Sequence, residues 1–236
     1  LLRIHPTKIS VVLQTLLHSL LHESYHWAEA WAPLIAIAAW WMFGRKNAEI
    51  THPVVWYFVG AFLLGTGIDL IWKLNDYMPP YLRNNNVLYN TQSIFRALIF
   101  GLFFNRTLKG KFRQSMQVAV VVYVVFIVAN YVFISGILQF SSFGIAAESI
   151  LQMFIGILFL FQLLNDDDDK SYARLPAFWF SVGLTLYAAV DFSTFLIYSM
   201  LIDQDQELAT QLWDGHNAFY IVFCLLCAKG FYESRR

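Results

Sequence analysis

The residues that could carry chemistry in this sequence are the ionisable and amide side chains set inside long apolar runs. They are Asp69; Asn90, Gln92 and Arg96; Asn130; Glu148 and Gln152; Asp191; and Asp214, His216 and Asn217. A charge in such a run is costly to bury, so it faces other protein groups or a wet cavity and pairs there. Arg96 is the permanent cation of this set, and Glu148, Asp191 and Asp69 are its candidate counter-ions. Such a pair either fixes helix packing or contacts a ligand. Asn130, Gln152 and Asn217 suit hydrogen bonding between helices. His216 titrates near neutral pH, and beside Asp69, Asp191 or Glu148 it makes a simple proton-linked element.

His18, His22 and His26 recur every four residues and fall on one stripe of a helix, beside Glu23 and Glu29. That spacing suits a zinc ion or a proton-sensitive surface. The stretch His22-Glu23-Ser24-Tyr25-His26 also fits the letters of a zinc-peptidase motif, but catalysis needs a third ligand and a cleft, with His216 the available further ligand. Cys224 and Cys227 lie three apart among Ile221, Val222, Phe223, Leu225 and Leu226, where thiols act as small hydrophobes. Lys229 lies too close to the end of the last run to serve as a retinal Schiff base. There is neither a phosphate-cradling glycine loop nor a Gly-x-Ser-x-Gly nucleophile elbow.

The elements that must position these groups follow from composition. Of the 236 residues 58% are hydrophobic and 14% charged, too few charges to coat a water-soluble domain. A nucleic-acid-binding domain, a disulfide scaffold and a disordered tail are excluded. Apolar runs at 27–43, 54–73, 87–105, 116–135, 144–164, 176–201 and 208–231 predict an all-α, polytopic membrane protein, a seven-helix transmembrane bundle spanning 27–232. Turn chemistry separates the runs: Gly44-Arg45-Lys46-Asn47, Met78-Pro79-Pro80, Ser135-Gly136 and the acidic stretch 166–169. Residues 1–26 read as an amphipathic or interfacial amino-terminal helix, and 233–236 as a cytoplasmic tail.

Net charge is zero, but its distribution is lopsided. With the amino terminus outside, the inner segments hold eleven basic residues: Arg45, Lys46, Arg106, Lys109, Lys111, Arg113, Lys170, Arg174, Lys229, Arg235 and Arg236. The outer segments hold Arg3, Lys8, Lys73 and Arg83. Positive loops stay cytoplasmic, so the carboxyl terminus is expected inside. In that orientation Asp69, Asn130 and Asp191 fall late in outward-running helices, and Asn90, Gln92, Glu148, Asp214, His216 and Asn217 early in inward-running ones. The polar set is thus expected to converge on a cavity in the outer half of the bundle.

Leu88-Tyr89-Asn90, Glu148-Ser149, the stretch from Pro176 to Gly183 (Pro-x-Phe-Trp-x-Ser-x-Gly), Trp213-x-x-His216-Asn217 and Ala228-Lys229-Gly230-Phe231 together resemble a family of small seven-helix membrane proteins of Bacteroidota. The resemblance runs over 27–232. It implies an accessory membrane sensor, since members are often encoded near histidine kinases. Arg96, where the family pattern is often acidic, and Asp191, where it is small or apolar, depart from that pattern together, which suggests a co-adapted pair.

The sequence therefore predicts a non-enzymatic, receptor-like membrane sensor or accessory signalling module in a bacterial inner membrane. It would take a small molecule, ion or proton from the outer side and present the basic 106–113 loop to a histidine kinase, another membrane protein or the lipid surface. Other readings are an intramembrane metal-dependent hydrolase with zinc, a structural subunit of a membrane complex, and a transporter, although no internal repeat is evident.

Overall fold

A computed structural model describes residues 24–80, 83–166, 171–201 and 204–235. All regular structure among them is helical. In chain order the helices are α1 (Ala28–Trp31), α2 (Pro33–Phe43), α3 (Ala48–Lys73), α4 (Asn86–Thr107), α5 (Gly110–Ala129), α6 (Ser142–Leu164), α7 (Pro176–Leu201) and α8 (Gln206–Glu233). A single wide turn at Asn130–Ile134 prolongs α5.

The boundaries have local causes. Pro33 and Pro176 start helices, where a missing N–H costs nothing. The Ser141 side chain caps α6 by accepting from Gly144 N at 3.2 Å, and Asp205 caps α8 by accepting from Leu208 N at 3.0 Å. Gly110 and Gly136 occupy left-handed turn positions at φ 49° and 69°, which a side chain would strain.

Among the described residues five helical segments are long and apolar enough to cross a membrane: Thr51–Lys73, Asn86–Thr107, Gly110–Ile134, Ser142–Leu164 and Pro176–Tyr198. A stretch of about 20 residues matches a hydrocarbon core of about 30 Å. The chain is thus an integral membrane protein in composition and in the build of its helices. Ala28–Phe43 is apolar but shorter. Helix α8 is long enough, at 28 residues, but carries Glu207, Asp214, Lys229 and Glu233.

Helices adjacent in sequence pack side by side. The contacts run α2–α3–α4–α6–α7–α8 and back to α2, closing a ring, with α1 wedged between α3 and α8 and with α5 outside against α4 and α6. The polar atoms at the helix ends fix which ends meet. At one end Arg106 donates to Glu49 O, Lys109 N donates to Gln162 Oε1, and Phe43 meets Tyr232 edge to face. At the other, Asn90 donates to Ile137 O and Gln139 O at 2.9 Å, and Tyr89 meets Phe140 and Trp213. Arg45, Arg106, Lys109, Lys111, Arg113, Arg174, Lys229 and Arg235 all lie at or near the first end.

Two glycines set close approaches. A Cβ on Gly156 would stand 2.1 Å from Thr185 Oγ1, so α6 and α7 pack tightly, and Ser181 donates to Gly156 O at 2.8 Å. A Cβ on Gly65 would stand 2.7 Å from Glu29 O, so only glycine lets α1 rest on α3 at that depth. Helix α5 buries one narrow seam, Met116, Tyr123 and Ile127, and exposes valines at 118, 121, 122, 125, 128 and 132 as a lipid-compatible face.

Candidate functional site

Packing of the ring brings one side chain from each of five helices into a continuous polar chain. It runs Glu29 (α1), His216 (α8), Asp191 (α7), Arg96 (α4) and Glu148 (α6). All five are buried, Glu148 and Asp191 completely. Arg96 is the hub. Its Nε donates to both Glu148 oxygens at 2.9 and 3.0 Å, and its Nη2 donates to Glu148 Oε2 and, at 2.7 Å, to Asp191 Oδ2. Its Nη1 donates to the Tyr187 hydroxyl at 2.8 Å, placing that ring one turn before Asp191 on the same face of α7. A planar guanidinium fork suits this three-way junction, and an ammonium would not reach all three groups. Ser149 Oγ lies 3.1 Å from Asp191 Oδ2.

His216 bridges two carboxylates. Its Nε2 hydrogen-bonds with Glu29 Oε1 at 2.7 Å, and its Nδ1 stands 2.8 Å from Asp191 Oδ1 in an ion-pair contact that lacks hydrogen-bond alignment. A neutral imidazole has one N–H and one lone pair, so it can donate to only one of them. The other contact would then set a ring lone pair against a carboxylate oxygen. Both contacts are attractive together only when the triad holds one proton more than a neutral ring and two ionised acids. The imidazole is caged by Tyr187, Phe195, Trp213 and the parallel Tyr220, with ring centroids 5.3–6.5 Å away.

Charge is also unbalanced. Three buried carboxylates face one arginine, so the cluster carries minus two with a neutral His216 and minus one with an imidazolium. A burial of net charge on this scale is held only by bound protons, cations or water.

The segment that carries Glu29 is fastened to α8 at further points. The Tyr25 hydroxyl donates to Asp214 O, Asn217 Nδ2 donates to Tyr25 O at 3.3 Å, and His26 Nδ1 lies 3.4 Å from Asp214 Oδ1. Beside Glu29 is a small cavity of about 20 Å³, room for about one water molecule. Gln92, Ser93, Tyr89, Arg96 and His216 share its wall with Glu29.

Toward the basic end of the bundle the polar chain stops at a layer of buried aromatics. Tyr57, Phe58, Phe100 and Phe223 pack ring on ring, followed by Phe103, Phe180 and Phe231. Cys224 and Cys227 are free thiols buried in this layer. The polar network is thus nearer one end of the bundle and sealed from the other by apolar side chains.

Of the residues singled out from sequence, Arg96, Glu148, Asp191 and His216 come together, and Gln92 lines the adjoining cavity. Asp69 is half-buried and outside the hydrogen-bonded chain, so it is not a counter-ion of Arg96; its Oδ2 has no hydrogen-bond partner. Asn90 pins the loop before α6, and Asn130 donates to Ser141 Oγ at 2.7 Å. Gln152 is buried one turn after Glu148. His18 and His22 lie outside the described residues, and His26 pairs with Asp214. Among the described residues no three His, Cys, Asp or Glu side chains converge as a metal site.

Glu29 and Tyr187 complete the site and were not among the candidates. Glu29 had a signal: an acid placed just inside an apolar run, between Trp27 and Trp31. Tyr187 had only its four-residue spacing from Asp191. Comparison with protein-family models, characterised proteins and solved structures finds no match.

Proposed function

We propose that this chain is a proton-responsive, receptor-like membrane sensor. In this reading α1 and α2 cross together as the first of seven spans, α3 to α8 supply the other six, the amino-terminal end is outside, and the basic end faces the cytoplasm. The orientation is supported by the eight basic residues gathered at one end against Lys73 and Arg83 near the other. The observation that carries the function is the pair of His216 contacts, 2.7 and 2.8 Å, to two different helices.

With the proton present, His216 is an imidazolium that ties α1 to α7 through α8. Without it one contact turns repulsive, and α1, a four-residue helix, is the element with least packing to hold it. The charged and titratable groups facing this switch are Glu29 on α1, Asp69 on α3, Arg96 and Tyr89 on α4, Glu148 on α6, Tyr187 and Asp191 on α7, and Asp214 and Tyr220 on α8. The cavity is of water size, which favours a proton or small ion over an organic ligand. The aromatic layer supports sensing from one side over conduction across the membrane. Release of α1 would be relayed through α2 and α8, whose ends meet at Phe43 and Tyr232, to the basic face that would meet a histidine kinase or anionic lipid.

The test is a disulfide-trapping experiment on purified full chain in lipid nanodiscs, with cysteines placed at Tyr25 and Asn217 in a background lacking Cys224 and Cys227. With copper phenanthroline as oxidant, the rate is divided at each pH by that of the same cysteine pair in a His216→Gln background, so that thiolate reactivity cancels; a ratio that falls as pH rises supports the reading, and a ratio that does not change with pH overturns it.

A further inference from the structure

We infer that the cavity beside Glu29, walled by α1, α4, α6, α7 and α8, binds a monovalent cation, which Glu29, Gln92 and Ser93 hold through oxygen. The inference rests on the proposed imidazolium of His216 for its charge count. With that imidazolium and Arg96, the three buried carboxylates still leave one negative charge. One monovalent ion neutralises it, whereas a divalent ion would reverse its sign. The cavity, about 20 Å³, has room for about one water-sized occupant.

Its wall offers the hard oxygen donors such an ion prefers. Gln92 is 7% exposed, and its Oε1 has no hydrogen-bond partner, an expensive state for a buried amide. Ser93 is 3% exposed, and with the neighbouring Tyr123 hydroxyl as one partner its Oγ keeps a lone pair for the cavity. Glu29 supplies the full negative charge. Arg96 and His216 share the wall, but the N–H groups of Arg96 are turned to Glu148, Asp191 and Tyr187, and the His216 ring is held against Glu29 and Asp191, so the three carboxylates offset both charges. Helix α1 is thus held in place from two sides, by His216 and by the ion.

The probe is sodium itself, titrated at constant chloride against N-methyl-D-glucamine with purified full chain at fixed near-neutral pH, read by sodium-23 line width and by the thermal midpoint. The expected result is saturable broadening and a saturable rise in midpoint. Ser93→Ala and Gln92→Leu each move half-saturation upward by about tenfold, the effect of losing one good ligand. No saturable response, an equal response to N-methyl-D-glucamine, a response to magnesium or calcium alone, or unchanged half-saturation in Ser93→Ala overturns the site. His216 ring nitrogen signals recorded on the same sample separate the two proposals. A doubly protonated ring without sodium binding sinks the cation site alone, and a singly protonated ring removes the charge count beneath it.

Discussion

Replacing Asp191 by asparagine keeps the side chain's shape and removes the charge at the middle of the network. The wild-type carboxylate takes contacts of 2.7 Å from Arg96 and 2.8 Å from His216. The Arg96 contact is a charge-assisted hydrogen bond, which contributes about 1.5–3 kcal/mol, the His216 contact is an ion pair, and removing one partner of a buried ion pair costs about 3–5 kcal/mol. The lower end applies here, because Arg96 keeps both oxygens of Glu148 and His216 keeps Glu29. A loss of about 3 kcal/mol lowers the thermal midpoint of a domain this size by about 6–12 °C. The assay is intrinsic tryptophan fluorescence during heating in detergent, with Asp69→Asn as control. Asp69 stands outside the hydrogen-bonded chain, and that control is expected to leave the midpoint unchanged or slightly raised. An Asp191→Asn midpoint equal to wild type, or a larger loss in the control, would refute the reasoning.

Arg96→Lys is expected to destabilise more than Asp191→Asn, because an ammonium cannot serve Glu148, Asp191 and Tyr187 together, and the same melting assay ranks the two. Gly65→Ala should push α1 off α3 through its clash with Glu29 O, giving at low pH the low Tyr25–Asn217 cross-linking ratio that wild type reaches only at high pH. Trp213, with its ring 5.3 Å from that of His216, should change emission as the imidazole loses its proton. The transition, taken as wild type minus Trp213→Phe, should vanish in His216→Gln; its persistence there would assign it to another group. Glu29→Gln should leave the Arg96 junction intact, with a midpoint drop smaller than that of Asp191→Asn, while abolishing the pH-dependent change in the cross-linking ratio.

The helices were legible because apolar runs report span positions directly: 176–201 coincides with α7, and 87–105 and 144–164 lie within two residues of α4 and α6. The 54–73 run began late, since Thr51, His52 and Pro53 dilute the apolar signal although α3 starts at Ala48. The partnership of Arg96 with Glu148 and Asp191 was legible too, as isolated charges in neighbouring apolar helices must find one another. The choice of Glu29 over Asp69 as the second partner of His216 was not. It depends on α1 lying against Gly65, a contact between segments 36 residues apart that no local pattern encodes. The roles of Asn90 and Asn130 in pinning the loop before α6 likewise depend on where Ile137, Gln139 and Ser141 come to rest.

The central claim is that His216 carries a proton on each ring nitrogen, one shared with Glu29 in a hydrogen bond and the other giving the ring the charge that holds it against Asp191. Nitrogen-15 spectra of selectively histidine-labelled full chain in nanodiscs measure this directly, with His216→Gln assigning the signal. Attached protons on both Nδ1 and Nε2 at neutral pH, one of them lost in alkali together with the high Tyr25–Asn217 cross-linking ratio, is the predicted result. A ring with one bare nitrogen at neutral pH, unchanged across the titration, would contradict the account.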